Sequence, residues 1–234
     1  MEALARLWER ARHPEKAFRD RAAEAPPLVE SLKGLLAWRA PVAFLGMVIG
    51  YLEFGDLYAR LVNPDGAFWT GILQAVPLDL DPRELRSALA ELPPLPGLHG
   101  LLPWMVLLAP LAVLSIWVHD ATFDHIALWM LGGLKSRKGF RASLSADAEA
   151  LQVGVLGAAA GLLGSVPGVG WILAILLLPV AAYFWVLRGW ALAAWHGCPV
   201  WKGVLATILH VVLVGVTAIL LLVACLIMVM ALVQ

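Results

Sequence analysis

The chain has 234 residues, of which 61% are hydrophobic and 15% charged, with a mean hydropathy of +0.82. That balance excludes an ordinary soluble domain, which needs far more polar surface, and fits a bundle of spans at ~20 residues each. A formal net charge of zero offers no basic surface for nucleic acid, and Cys198 and Cys225 stand far apart without CxxC or Cys/His spacing. The composition predicts an all-α polytopic transmembrane helical bundle of about five spans.

Residues 1–33 are charged and helix-prone, and read as a cytosolic amphipathic segment. Leu4, Leu7, Trp8 and Ala11 share one face by the i, i+3, i+4, i+7 rule, while Arg6, Glu9, Arg10 and Arg12 occupy the others. Such a helix lies on a membrane surface or packs as a cytosolic helix; both readings stay open. Ala25-Pro26-Pro27 breaks it. The first apolar run begins only near residue 40, behind a charged N-terminus, so no cleavable signal peptide is expected.

The 34–234 region is the transmembrane domain. The first span is expected from Leu35 to Leu57, and residues 63–100 form an extracytoplasmic loop. Within that loop, Asp81-Pro82-Arg83-Glu84 reads as a helix start, followed by a Leu85, Leu89, Leu92 stripe. The second span runs from Leu101 to Leu131 and stops at Gly132-Gly133; the basic loop of Lys135, Arg137, Lys138 and Arg141 follows. The third span is expected from Ala146 to Gly164. Its Gly157 and Gly161 form a GxxxG pair for close helix packing. A Ser165–Gly170 turn leads to the fourth span, Trp171 to Ala194, and His196-Gly197-Cys198-Pro199 leads to the fifth, Trp201 to Leu232. Basic residues fall on one side if there are five spans, which puts the N-terminus in the cytoplasm and the C-terminus outside.

Polar residues collect at one depth. The second and fourth spans run in the same direction, so equal residue counts from their starts mean equal depth. By that count Asp120 meets Arg188, and Asp124 or His125 meets His196. Asp147 and Glu149 open the third span at the same leaflet. Charges there are costly unless paired or hydrated. Three chemistries fit: a structural ion pair of Asp120 or Asp124 with Arg188; a divalent metal site of Asp124, His125 and His196, suited to zinc; or a hydrated vestibule that holds a lipid head group or relays protons. His210 reads as a hydrogen-bonded interior histidine. HExxH, GxSxG and Walker A motifs are absent, so no catalytic residue is assigned, no organic cofactor is called for, and the chain reads as a non-enzyme.

Several short motifs carry a family resemblance. His125 precedes Gly132-Gly133 and a basic loop with Phe140, Pro167-x-x-Gly170 lies between two spans, and His196 follows the fourth. Pro14-Glu15-Lys16-Ala17-Phe18 stands near the N-terminus as a Pro-x-x-x-Phe opening. Over roughly residues 5–230 the chain resembles the Yip family of Rab-interacting multispan membrane proteins, in its bacterial branch. Asp56-Leu57-Tyr58-Ala59-Arg60 lacks the Gly-Pro of the eukaryotic Asp-Leu-x-Gly-Pro motif, so Rab binding is not carried over. The resemblance implies a five-span scaffold or adaptor in a bacterial cytoplasmic membrane, with membrane lipids, other membrane proteins or copies of itself as partners. The alternative is a small transporter or lipid-handling protein working through the inner polar cluster.

Overall fold

A computed structural model describes residues 2–63, 66, 68–69, 87–89, 91–134, 139–165 and 170–233. The Asp81–Glu84 helix start, the basic residues Lys135, Arg137 and Lys138, and the turn at 166–169 lie outside the described residues. The molecule is 89% helical and has no strand among the described residues. The helices are α1 (Glu2–Arg12), α2 (Pro14–Glu24), α3 (Leu28–Leu61), α4 (Leu98–Met130), α5 (Gly139–Val153), α6 (Val155–Gly161), α7 (Gly170–His196) and α8 (Val200–Val233). A 3-10 turn, Leu162–Ser165, extends α6.

Four helices, α3, α4, α7 and α8, are long and apolar enough to cross a bilayer, and the bent pair α5–α6 with its 3-10 extension makes a fifth if it counts as one span. This is the composition of an integral membrane protein. The third span is not a straight helix over 146–164: it starts at Gly139 and bends by 48° between Val153 and Val155. Gly154 sits at the break, where a glycine tolerates the interrupted ladder.

Two compact units divide the chain: residues 43–109, and residues 1–42 with 110–234. In the smaller unit the segment before α4 is tied to α3, where the Tyr51 hydroxyl donates to the Pro96 carbonyl and the Tyr58 hydroxyl to that of Pro93.

The larger unit has a tight base. Its core joins Leu7, Ala11 and Phe18 of α1 and α2 to Ala142, Ala146, Ala150 and Val153 of α5 and to Leu187, Ala191, Leu192 and Trp195 of α7. Alanines on α5 let the helix axes approach closely. The Phe18 ring meets Trp195 edge-on at 6.4 Å. The predicted N-terminal face therefore splits: Leu7 and Ala11 are buried in protein, while Leu4 and Trp8 are exposed.

Helix α5 explains why the base is charged inside. Ser143, Ser145, Asp147, Glu149 and Gln152 are all buried, because α5 is surrounded by protein and not by lipid. Buried polar atoms need partners, and Glu149 has three: Arg10 Nη1 at 2.7 Å, Arg21 Nε at 3.2 Å and Ser31 Oγ at 2.7 Å. Gln152 Nε2 donates to the Ser31 carbonyl at 2.9 Å. Burial works against the Arg21 charge, but Glu30, Glu24 and Glu149 outweigh it and raise its pKa above the ordinary value.

Two glycines end helices at the base. Gly132 (φ +60°) closes α4, with Gly133 N–H donating to the Leu128 carbonyl at 2.8 Å, and Gly197 (φ +65°) closes α7, with Cys198 N–H donating to the Ala193 carbonyl at 3.1 Å. Both are left-handed caps that a Cβ would strain.

Candidate functional site

Three helices set the depth of the polar cluster. The apolar run Leu101–Val118 of α4 ends at His119; the run from Trp171 in α7 ends at Arg188; in α8, His210 precedes a run that is exposed and apolar through Met230. Each run spans about 25–30 Å at ~1.5 Å per residue, close to the hydrocarbon thickness. The charged residues thus occupy the boundary where the apolar stretches give way to the base.

Arg188 is the centre. Its Nε lies 2.6 Å from Asp124 Oδ2 and 2.9 Å from Asp147 Oδ1, and its Nη1 lies 2.9 Å from Asp120 Oδ2. Its guanidinium also sits over the Trp185 ring, 5.6 Å from the centroid. Asp124 and Asp147 are fully buried, and Asp120 nearly so. Three carboxyl groups therefore converge on one guanidinium. The planar, multidentate geometry of Arg suits it to several carboxylates in a way a lysine does not.

His210 reaches the same cluster from α8. Its Nδ1 lies 2.8 Å from Asp124 Oδ1 and 3.4 Å from Arg188 Nη2. One ring nitrogen cannot donate to a carboxylate and accept from a guanidinium at once. The shorter contact decides: Nδ1–H donates to Asp124, which leaves Nε2 as the ring's acceptor.

Asp120 and Arg188, expected from depth to meet, are in contact. The triad Asp124, His125 and His196 is not assembled. His125 Nδ1 and His196 Nε2 both bond Ser143 Oγ, each at 2.9 Å, while Asp124 faces Arg188 and His210. Asp124 and His125, one residue apart on α4, thus take different partners.

The glycine pair also divides. A Cβ on Gly157 would lie 2.5 Å from Phe184 Cδ2, so this position packs tightly on α7; a Cβ on Gly161 would meet nothing within 4 Å. A close backbone approach between α7 and α8 lies elsewhere. A Cβ on Gly189 would come within 2.5 Å of Val204 Cα, and one on Gly203 would collide with the Gly189 carbonyl. These two glycines cross α7 over α8 one residue from Arg188, and neither belongs to a GxxxG pattern.

Arg39 completes the surroundings. Its Nη1 donates to the Gly154 carbonyl at 3.2 Å, a cation at the broken end of α5. Arg39, Asp120, Trp185 and Arg188 line a cavity of about 290 Å³. Sequence reasoning missed Asp147 and His210 as partners of Arg188, and Arg39 as a neighbour lining the same cavity. For Asp147 the only signal was an acid at the right leaflet; for His210, a histidine ten positions into a helix of otherwise apolar residues.

Comparison with protein-family models, curated proteins and solved structures finds no match to this chain.

Proposed function

We propose that the chain is a non-enzymatic membrane adaptor of the Yip type, in which a rigid charged base carries helices that offer their sides to lipids and other membrane proteins. The carrying observation is the contrast in burial along α8. Its most apolar 18-residue window is 0% buried within the chain, and that of α3 only 6%. Helices lining a permeation path would bury one face against their neighbours. Here close packing concentrates in the base, and the apolar surfaces are left for lateral contact. The short motifs around His125, Gly132, Pro167 and His196 support the family, and the family's bacterial members support a cytoplasmic membrane. The basic N-terminal segment supports a cytoplasmic N-terminus. An extracytoplasmic C-terminus follows if α5–α6 crosses the membrane.

A photocrosslinking residue placed at Leu221 in native membranes tests the adaptor reading. Discrete protein adducts at Leu221, with none at the buried Leu187, are expected. Lipid adducts alone at Leu221, together with solute flux in proteoliposomes, would replace it.

One observation favours a second reading, a small transporter or lipid-handling protein. The carboxylates outnumber the guanidinium they surround, and Asp120 opens on the cavity shared with Arg39. Such a cluster takes up a cation or a proton when its charge is balanced.

A further inference from the structure

We propose that His119, Asp120 and His210 form a binding site for a divalent first-row metal ion, with zinc as the reference ion. The site stands independently of the adaptor reading.

One ligand atom from each residue lies within 4.8 Å of the others. Asp120 Oδ1 is 3.2 Å from His119 Nδ1 and 3.8 Å from His210 Nε2. The first distance is long for a charge-assisted hydrogen bond, which runs ~2.7–2.9 Å, and the second is too long for any. The two distances bracket the separation of neighbouring ligands on one ion. Bonds of ~2.0–2.2 Å to a four-coordinate metal put neighbouring ligand atoms roughly 3.3–3.6 Å apart. Two imidazoles and one carboxylate are the donor set of a borderline divalent ion, and three protein ligands leave a position open.

The atoms around the ligands are arranged for this use. With Nδ1–H given to Asp124 Oδ1 at 2.8 Å, His210 keeps its Nε2 lone pair, 3.8 Å from Asp120 Oδ1, as a ligand. A carboxylate behind a ligating imidazole fixes its tautomer and orientation. Asp120 gives Oδ2 to Arg188 Nη1 at 2.9 Å and keeps Oδ1 for the site. The Phe123 ring covers His119 at 4.7 Å and His210 at 5.6 Å, and Trp185 lies 5.9 Å from His210, so aromatic walls shelter the donors. His125 and His196 instead share the Ser143 hydroxyl.

The test is cobalt(II) and zinc(II) binding to the full chain in detergent after chelator treatment. About one tightly held equivalent per chain is expected, with cobalt absorption bands typical of low coordination. His119 is 45% exposed, so His119→Ala leaves the base folded and is expected to weaken binding at least ~10-fold. Asp124→Asn, acting through His210, is expected to weaken it by about 10–100-fold, and His125→Ala to leave it unchanged. A wild-type chain that retains neither metal would falsify the site. So would unchanged binding in His119→Ala, or a loss seen in His125→Ala instead.

Discussion

Replacing Arg188 by methionine removes the guanidinium that, among the described residues, touches Asp120, Asp124 and Asp147. Methionine keeps the volume and the apolar stem but leaves two fully buried carboxylates and one nearly buried one without their counter-charge. Truncating one partner of a buried pair costs about 3–5 kcal/mol, because the remaining charge stays desolvated. For a chain of this length each kcal/mol moves Tm by roughly 2–4 °C, so the variant is expected to melt roughly 6–20 °C below wild type. Removing charge on both sides reverses the effect. The triple change Arg188→Met, Asp124→Asn, Asp147→Asn takes away the orphaned anions and is expected to recover at least half of the loss. Arg188→Lys is expected to fall between, since an ammonium keeps the charge but cannot serve three carboxylates in a plane. Thermal unfolding in detergent, followed by fluorescence-detected gel filtration, measures all three. An Arg188→Met variant that melts within ~2 °C of wild type would refute the charge argument. So would a triple variant less stable than the single one.

Other sites give sharper local forecasts. Gly203→Ala drives a Cβ into the Gly189 backbone and is expected to cost ~1–3 kcal/mol or more in the same assay; an unchanged Tm would show that α7 and α8 part freely. Gly157→Leu is expected to destabilise against Phe184, whereas Gly161→Leu, facing open space, is expected to leave Tm within ~1–2 °C. Glu149→Gln weakens the acceptor for Arg10 and Arg21 and is expected to speed proteolytic release of the α1–α2 segment, with the rest of the chain intact. Burial raises the Cys198 thiol pKa above its usual value, Lys202 offsetting only part of this. Since the thiolate is the nucleophile, Cys198 is expected to alkylate more slowly than a free cysteine at pH 7 and to speed up as pH rises; equal rates at pH 7 would count against its burial.

How much of this was legible in the sequence depends on the coordinate needed. Depth was readable: the apolar runs of α4 and α7 run in the same direction, and counting along them puts Asp120 beside Arg188. Azimuth was not. Asp124 and His125 have nearly the same depth but differ by one residue, and that rotation sends one to Arg188 and the other to Ser143. The buried character of α5 was also hidden. Its Asp147, Glu149 and Gln152 look like the polar start of a lipid-facing helix, because hydropathy does not record that protein surrounds it. The Gly157–Gly161 spacing drew attention to a pattern, yet isolated glycines bring α7 and α8 close, since Gly189 and Gly203 need only one small residue per helix. About five spans followed from composition, and the structure has four, or five if the bent pair is one span; the break near Gly154 that makes the number ambiguous rests on one glycine among several.

The central claim is that the membrane boundary falls at His119 on α4, with apolar span on one side and charged base on the other. Single cysteines placed along α4, in a chain whose Cys198 and Cys225 are replaced by serine, test it most directly when probed in proteoliposomes with a membrane-impermeant maleimide. Cysteines at Leu107 and Leu111, both exposed on the apolar stretch, are predicted to stay unlabelled, and one at the exposed Trp129 to be labelled from a single side. Rapid labelling at 107 or 111 would contradict the account.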